Sequence, residues 1–147
     1  MKNENFVADQ LLERYKSIRK ESSVSEADIL QELAAIYDEA GKLEQAEKIY
    51  RQALAMEPEN PTFLNNLAYF IYKNNTNLNE GVILIDSALQ MRPDDWFFLA
   101  TKGELRYKQG RYEEALELFE KSWKLKPEYN HEIYLDIQAA KKALGIQ

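Results

Sequence analysis

The sequence predicts an all-α protein built from three stacked pairs of antiparallel helices, with one further helix at each end. Three observations predict it. First, the chain of 147 residues repeats itself: ADILQELAAIYDEAGKLEQAEKIYRQALAMEPEN (27–60), PTFLNNLAYFIYKNNTNLNEGVILIDSALQMRPDD (61–95) and WFFLATKGELRYKQGRYEEALELFEKSWKLKPEY (96–129) align by residue type. Their closing prolines, Pro58, Pro93 and Pro127, stand 35 and 34 residues apart, and a period of this size marks an array of supersecondary units. Second, small and large apolar residues recur in each unit at spacings of three and four, the period of a helix. Third, glycine (5) and proline (4) are scarce, as long helices with few breaks require.

Residues 1–26 form an N-terminal helix and connector. The stretch NFVADQLLERYKSIRK places Phe6, Leu11, Leu12, Tyr15 and Ile18 on one helical face, but it is out of register with the repeat. Ser25, with Asp28 three residues on, caps the first helix of unit one. That helix must end near Gly41, where a left-handed residue is favoured. Asn60-Pro61 opens unit two, a capping Asn ahead of a proline at the first helical position. Asp94 and Asp95 precede unit three, whose first helix stops at Gly110.

Within the units Ala34, Ala68 and Gly103 correspond, as do Ala46, Gly81 and Ala115, then Tyr50, Ile85 and Phe119, then Ala53, Ala88 and Ser122. Small side chains there let two backbones approach, and the large ones fill the space between. One pair cannot bury its apolar face alone, so neighbouring pairs stack. Residues 130–147 begin where a fourth unit would, run as one helix to Gly145 and cap the array. Asp136, Gln138, Lys141 and Lys142 suit a solvating surface.

Unit two is one residue longer than its neighbours. Ala34 to Ala46 and Gly103 to Ala115 each span 12 residues, but Ala68 to Gly81 spans 13. The extra residue therefore lies in KNNTNLNEG (73–81), which has no glycine where the other units turn. Asn tolerates the left-handed conformation next best after Gly, so Asn74 or Asn75 ends the helix, and Asn77 with Glu80 caps the next. Asn74-Asn75-Thr76 fits a glycosylation acceptor pattern, but without a secretory signal it carries little weight.

This period, with GKLEQAEKIYRQALAMEP and GRYEEALELFEKSWKLKP as second helices and closing prolines, resembles the tetratricopeptide repeat family over residues 27–129. The resemblance implies a right-handed superhelix whose first helices line a concave groove for a peptide or a partner helix. It places Asp28, Gln31, Ala35 and Asp38 in that groove from unit one. From unit two it places Asn65, Asn66, Tyr69, Tyr72 and Lys73, and from unit three Phe97, Ala100, Thr101, Glu104, Tyr107 and Lys108. Amides can donate to and accept from a peptide backbone, and aromatics supply rigid contact area. Chaperone-binding members of that family grip a C-terminal carboxylate with a lysine and an asparagine in the first repeat and basic residues in the third. The corresponding positions here are Gln31, Ala35, Phe97 and Thr101, with only Asn66 matching, so no dependence on a free terminal carboxylate is expected. Lys102 and Arg106 stand where the other units carry apolar residues, and a pairing of one of them with Asp136 is expected to offset that cost.

Other functions find little support. A net charge of −6 argues against nucleic acid or an anionic membrane as partner. No apolar stretch approaches the ~18 residues of a membrane span. There is no cysteine, hence no disulfide framework or thiolate chemistry. The single histidine, His131, falls in the first turn of the last helix, a solvent-facing position. No phosphate loop, metal-ligand set or catalytic constellation is present, so no enzyme activity, cofactor or metal is expected. The expected function is a protein-interaction adaptor with a protein or peptide partner. The alternatives are a self-assembling scaffold or a small chaperone for exported bacterial proteins. The default location is cytoplasmic, or periplasmic if a targeting segment was trimmed.

Overall fold

The structure, a computed structural model, describes residues 13–15, 17, 24–126 and 128–146. Among these, seven bounded helices follow one another and no strand occurs: α1 (Glu26–Glu39), α2 (Leu43–Met56), α3 (Pro61–Asn74), α4 (Leu78–Met91), α5 (Trp96–Lys108), α6 (Tyr112–Leu125) and α7 (His131–Ala143). Phe6, Leu11, Leu12, Ile18 and Pro127 lie outside the described residues. Residues 13–15 and 17 are helical, and the Tyr15 hydroxyl donates to the Glu32 carboxylate.

The chain divides into two compact units, one ending at Glu59 and the other beginning at Asn60. In the first, α1 packs on α2. In the second, α3 packs on α4 and α5, α5 reaches α4, α6 and α7, and α6 packs on α7.

The helix boundaries follow from local chemistry. Ser25 Oγ accepts from the Asp28 amide at 3.0 Å, Asn60 Oδ1 from Thr62 and Phe63 at 3.0 and 3.4 Å, and Asp95 Oδ1 from Phe97 and Phe98 at 3.1 and 3.3 Å. Asn130 caps α7 in the same way. Each satisfies amides that the first turn of a helix leaves without a partner. Gly41 and Gly110 leave α1 and α5 with φ of 71° and 76°. In unit two that position belongs to Asn75, at φ 51°. Asn77 then caps α4 by accepting from the Glu80 amide at 3.3 Å. The Asn74 amide nitrogen, the acceptor in the glycosylation pattern, is tied to the Phe70 carbonyl at 3.0 Å.

The recurrent small residues lie in the packed interior. Ala34, Ala46, Ala53, Ala68, Ala88, Ala115 and Ser122 have no accessible surface, and Tyr50, Ile85 and Phe119 are buried beside them. Two glycines report how close the helices come. A Cβ on Gly103 would stand 2.5 Å from the Phe119 ring, and one on Gly81 would stand 2.8 Å from Leu105 Cδ2. Burying a side chain the size of Phe119 or Leu67 contributes roughly 1.5–3 kcal/mol, so these approaches hold the pairs together. Ser122 adds a polar tie, its hydroxyl donating to the Trp96 carbonyl at 2.6 Å.

The expected pairing of Lys102 or Arg106 with Asp136 does not form. Lys102 Nζ instead meets Asp86 of α4 at 2.7 Å. Arg106 Nε lies 3.3 Å from Glu114 of α6, and its Nη1 donates to Gln109 at 3.0 Å. Both long side chains extend sideways to carboxylates on helices already packed against α5, rather than across to α7. Asp136 is left for a different environment.

Candidate functional site

The second unit presents one face built from three helices: α3 and α5, the first members of their pairs, and the single helix α7 that follows. On α3 the face begins with Tyr69 and Tyr72, three apart, their ring centroids 5.7 Å from each other. Tyr69 also approaches Phe97 at the start of α5, at 6.3 Å, and Phe97 stacks edge-on against Trp96 at 5.6 Å. The result is an aromatic shelf bridging two helices. Tyr69 is 39% exposed and Phe97 41% exposed, although both are large apolar rings.

Beside the shelf the face becomes acidic. Glu104 of α5 and Asp136 and Glu132 of α7 act on one another electrostatically, and all three act on Tyr72. Burial, reinforced by Asp136 and Glu132, pushes the Glu104 carboxyl up to about 8. Burial, with Glu132, raises Asp136 to about 6. Burial and the same carboxylates raise the Tyr72 hydroxyl well above its ordinary value. Desolvation and like charge both favour the neutral acid. Lys108 lies over the Tyr72 ring at 5.6 Å.

The residues expected in the groove are distributed unevenly. Tyr69, Lys73, Phe97 and Lys108 are exposed, while Asn66, Tyr72, Glu104 and Tyr107 are half-buried. Tyr107 leans on Tyr112 of α6, centroids 5.1 Å apart. Asn65 and Thr101 do not fit the expectation: they are 1% and 0% exposed. The Thr101 hydroxyl folds back to the Phe97 carbonyl at 3.2 Å, and Ala100 is buried too. These positions face the packed side of their helices. In the first unit Gln31 is buried, Asp28 is exposed and tied to Ser25, and Ala35 and Asp38 are half-buried. Sequence reasoning did not place Asp136 and Glu132 on this face. Their spacing of four, on the helix that follows α5 in the stack, was the available signal.

Among the described residues no group of three or more carboxylates or histidines is placed to hold a metal ion. None of their helices is long and apolar enough to cross a membrane. His131 is exposed, with Nδ1 3.2 Å from the Tyr129 hydroxyl.

Stacked helix pairs of this length, with a small-residue seam and an open face on the first helices, define a helical-repeat protein. Residues 29–95 match the family described as YpiA-like, C-terminal tetratricopeptide repeats, and residues 96–129 match the tetratricopeptide repeat itself. The chain belongs to the tetratricopeptide repeat family. It is 32% identical over 88 residues to the TPR repeat-containing protein PA4667 of Pseudomonas aeruginosa, a match covering 60% of this chain and 15% of that protein. The matched region is thus a small part of that relative's length. Among solved structures, the Sgt2 TPR domain from Aspergillus fumigatus superposes with a TM-score of 0.75 at 20% identity, covering 83% of this chain and 81% of that one. The first TPR of Spaghetti (RPAP3), bound to the HSP90 peptide SRMEEVD, superposes at 0.73 and 22% identity, covering 81% and 93%. At these identities the likeness is one of fold.

Proposed function

We propose that this chain is a non-catalytic interaction module that binds a peptide or helix of a protein partner on the α3/α5/α7 face. The observation that carries the reading is the aromatic shelf of Tyr69, Tyr72 and Phe97. Rings left exposed together on adjacent helices mark an interaction surface, and aromatics of this kind supply most of the binding energy in small interfaces. The RPAP3 domain, similar in fold, holds a peptide, which supports a peptide as one form of the partner.

Affinity capture from the native host tests the reading. Wild type should retain at least one protein that the Tyr69→Ala/Phe97→Ala variant loses, with circular dichroism unchanged between the two. Equal capture by both would sink it. Because Gln31, Ala35, Phe97 and Thr101 occupy the positions of the carboxylate clamp, amidating the C-terminus of a bound peptide should leave its affinity nearly unchanged.

A second reading, self-assembly, is favoured by Tyr134 and Leu135, which stand exposed on α7 next to an exposed Tyr129. Light scattering across a concentration series would show a mass above one chain if that reading holds.

A further inference from the structure

The three carboxylates beside the shelf form no ion pair among the described residues. Neither Glu104, Glu132 nor Asp136 has a side-chain hydrogen bond or ion pair among the described residues, and Lys108 sits over Tyr72 without pairing with any of them. Elsewhere on the same unit several acids are matched: Asp86 with Lys102, Glu114 with Arg106 and Arg111, Asp94 with Lys121. Of the three acids on the α3/α5/α7 face, Glu104 and Asp136 are half-buried and Glu132 is exposed. A half-buried carboxyl held close to two others favours the neutral acid, and an arriving cation would stabilise its ionised form.

The shelf next to the acids suits the same visitor. Rings of Tyr and Phe attract ammonium and guanidinium groups through their faces, and Tyr72 already holds Lys108 this way.

We infer that the partner brings a basic segment: a Lys or Arg side chain set against Glu104, Asp136 and Glu132, with its apolar neighbours on Tyr69, Tyr72 and Phe97. This rests on the interaction-module reading and gives it a partner chemistry. It is opposite in charge to SRMEEVD, the peptide held by the RPAP3 domain.

The test uses the full chain and fluorescence polarisation with end-capped nonapeptides. Their central residue is Lys, Arg, Ala or Glu, flanked by a fixed set of Leu and Phe, with SRMEEVD as an acidic control. Wild type should bind the Lys- and Arg-centred peptides at least tenfold more tightly than the Glu-centred one, and the margin should shrink as salt rises. In Glu104→Gln/Asp136→Asn the margin should collapse to less than threefold. That variant removes buried charge, so loss of folding is not expected. A Tyr69→Ala/Phe97→Ala variant should weaken all the peptides together. Peptides that bind without charge preference, yet lose affinity in the aromatic variant, would overturn this inference and leave the interaction module standing. Tighter binding of the Glu-centred peptide or of SRMEEVD, or a margin surviving in the double variant, overturns it as well. Binding of no peptide in the set counts against both readings.

Discussion

At the scale of single residues, the close helix approach can be checked at Gly103. Alanine there would gain about 1 kcal/mol of helix propensity over glycine, but its Cβ would press on the Phe119 ring at 2.5 Å. Phe119 is buried and cannot swing aside, so overpacking, typically ~1–3 kcal/mol, should exceed the gain. Gly103→Ala is therefore expected to lower the thermal midpoint. Gly81→Ala should do less harm, because its closest obstacles are the side-chain ends of Leu105 and Ile71. Asn75 offers the converse test. In the left-handed region a β-branched side chain is strained by roughly 1–2 kcal/mol, so Asn75→Val should destabilise by that amount and Asn75→Gly by little, as denaturant midpoints would show. Caps and small residues were legible in the sequence because their causes are local, as with Ser25, Asn60 and the asparagine turn. Asn65 and Thr101 were misplaced because a repeat position names a side of the helix. How deep that side lies depends on neighbouring helices that the pattern does not describe.

At the scale of elements, α5 departs most from the repeat. Its Lys102 and Arg106 replace apolar residues and find acids on α4 and α6. The sequence showed that partners were needed. It did not show which, because Asp86, Glu114 and Asp136 all lie within plausible reach and only packing selects among them. The Lys102–Asp86 pair is partly exposed, and such pairs contribute about 0.2–1 kcal/mol. A double-mutant cycle with Lys102→Met and Asp86→Ala should return coupling in that range. The same cycle with Asp136→Ala should return none.

At the scale of the whole molecule, the unmatched acids set a pH dependence. A carboxyl whose folded value is raised holds its proton more tightly when folded than when unfolded. Between the ordinary 4.5 and about 8 for Glu104, the native state therefore binds more protons, and stability falls as pH rises through that window. Asp136, raised from 3.8 to about 6, adds in the same direction at lower pH. Asp136 and Glu132 press on Glu104 from α7, and Lys108 lies over the Tyr72 ring. Thermal midpoints should drop from pH 5 to pH 8.5 in wild type. Glu104→Gln should flatten that drop by at least ~1.4 kcal/mol, the worth of one pKa unit. The fold class and repeat period were legible because they recur along the chain. The acidic end of the face was not, because it joins residues 28 and 32 positions apart across a helix boundary. The asparagine turn has a practical side too. Unit two holds one more residue there than its neighbours while α3 and α4 keep their phase, and residues 75–77 are exposed. It is the place where a fluorophore-bearing loop or epitope can be spliced into the chain, so that occupancy of the aromatic shelf can be followed without labelling the partner.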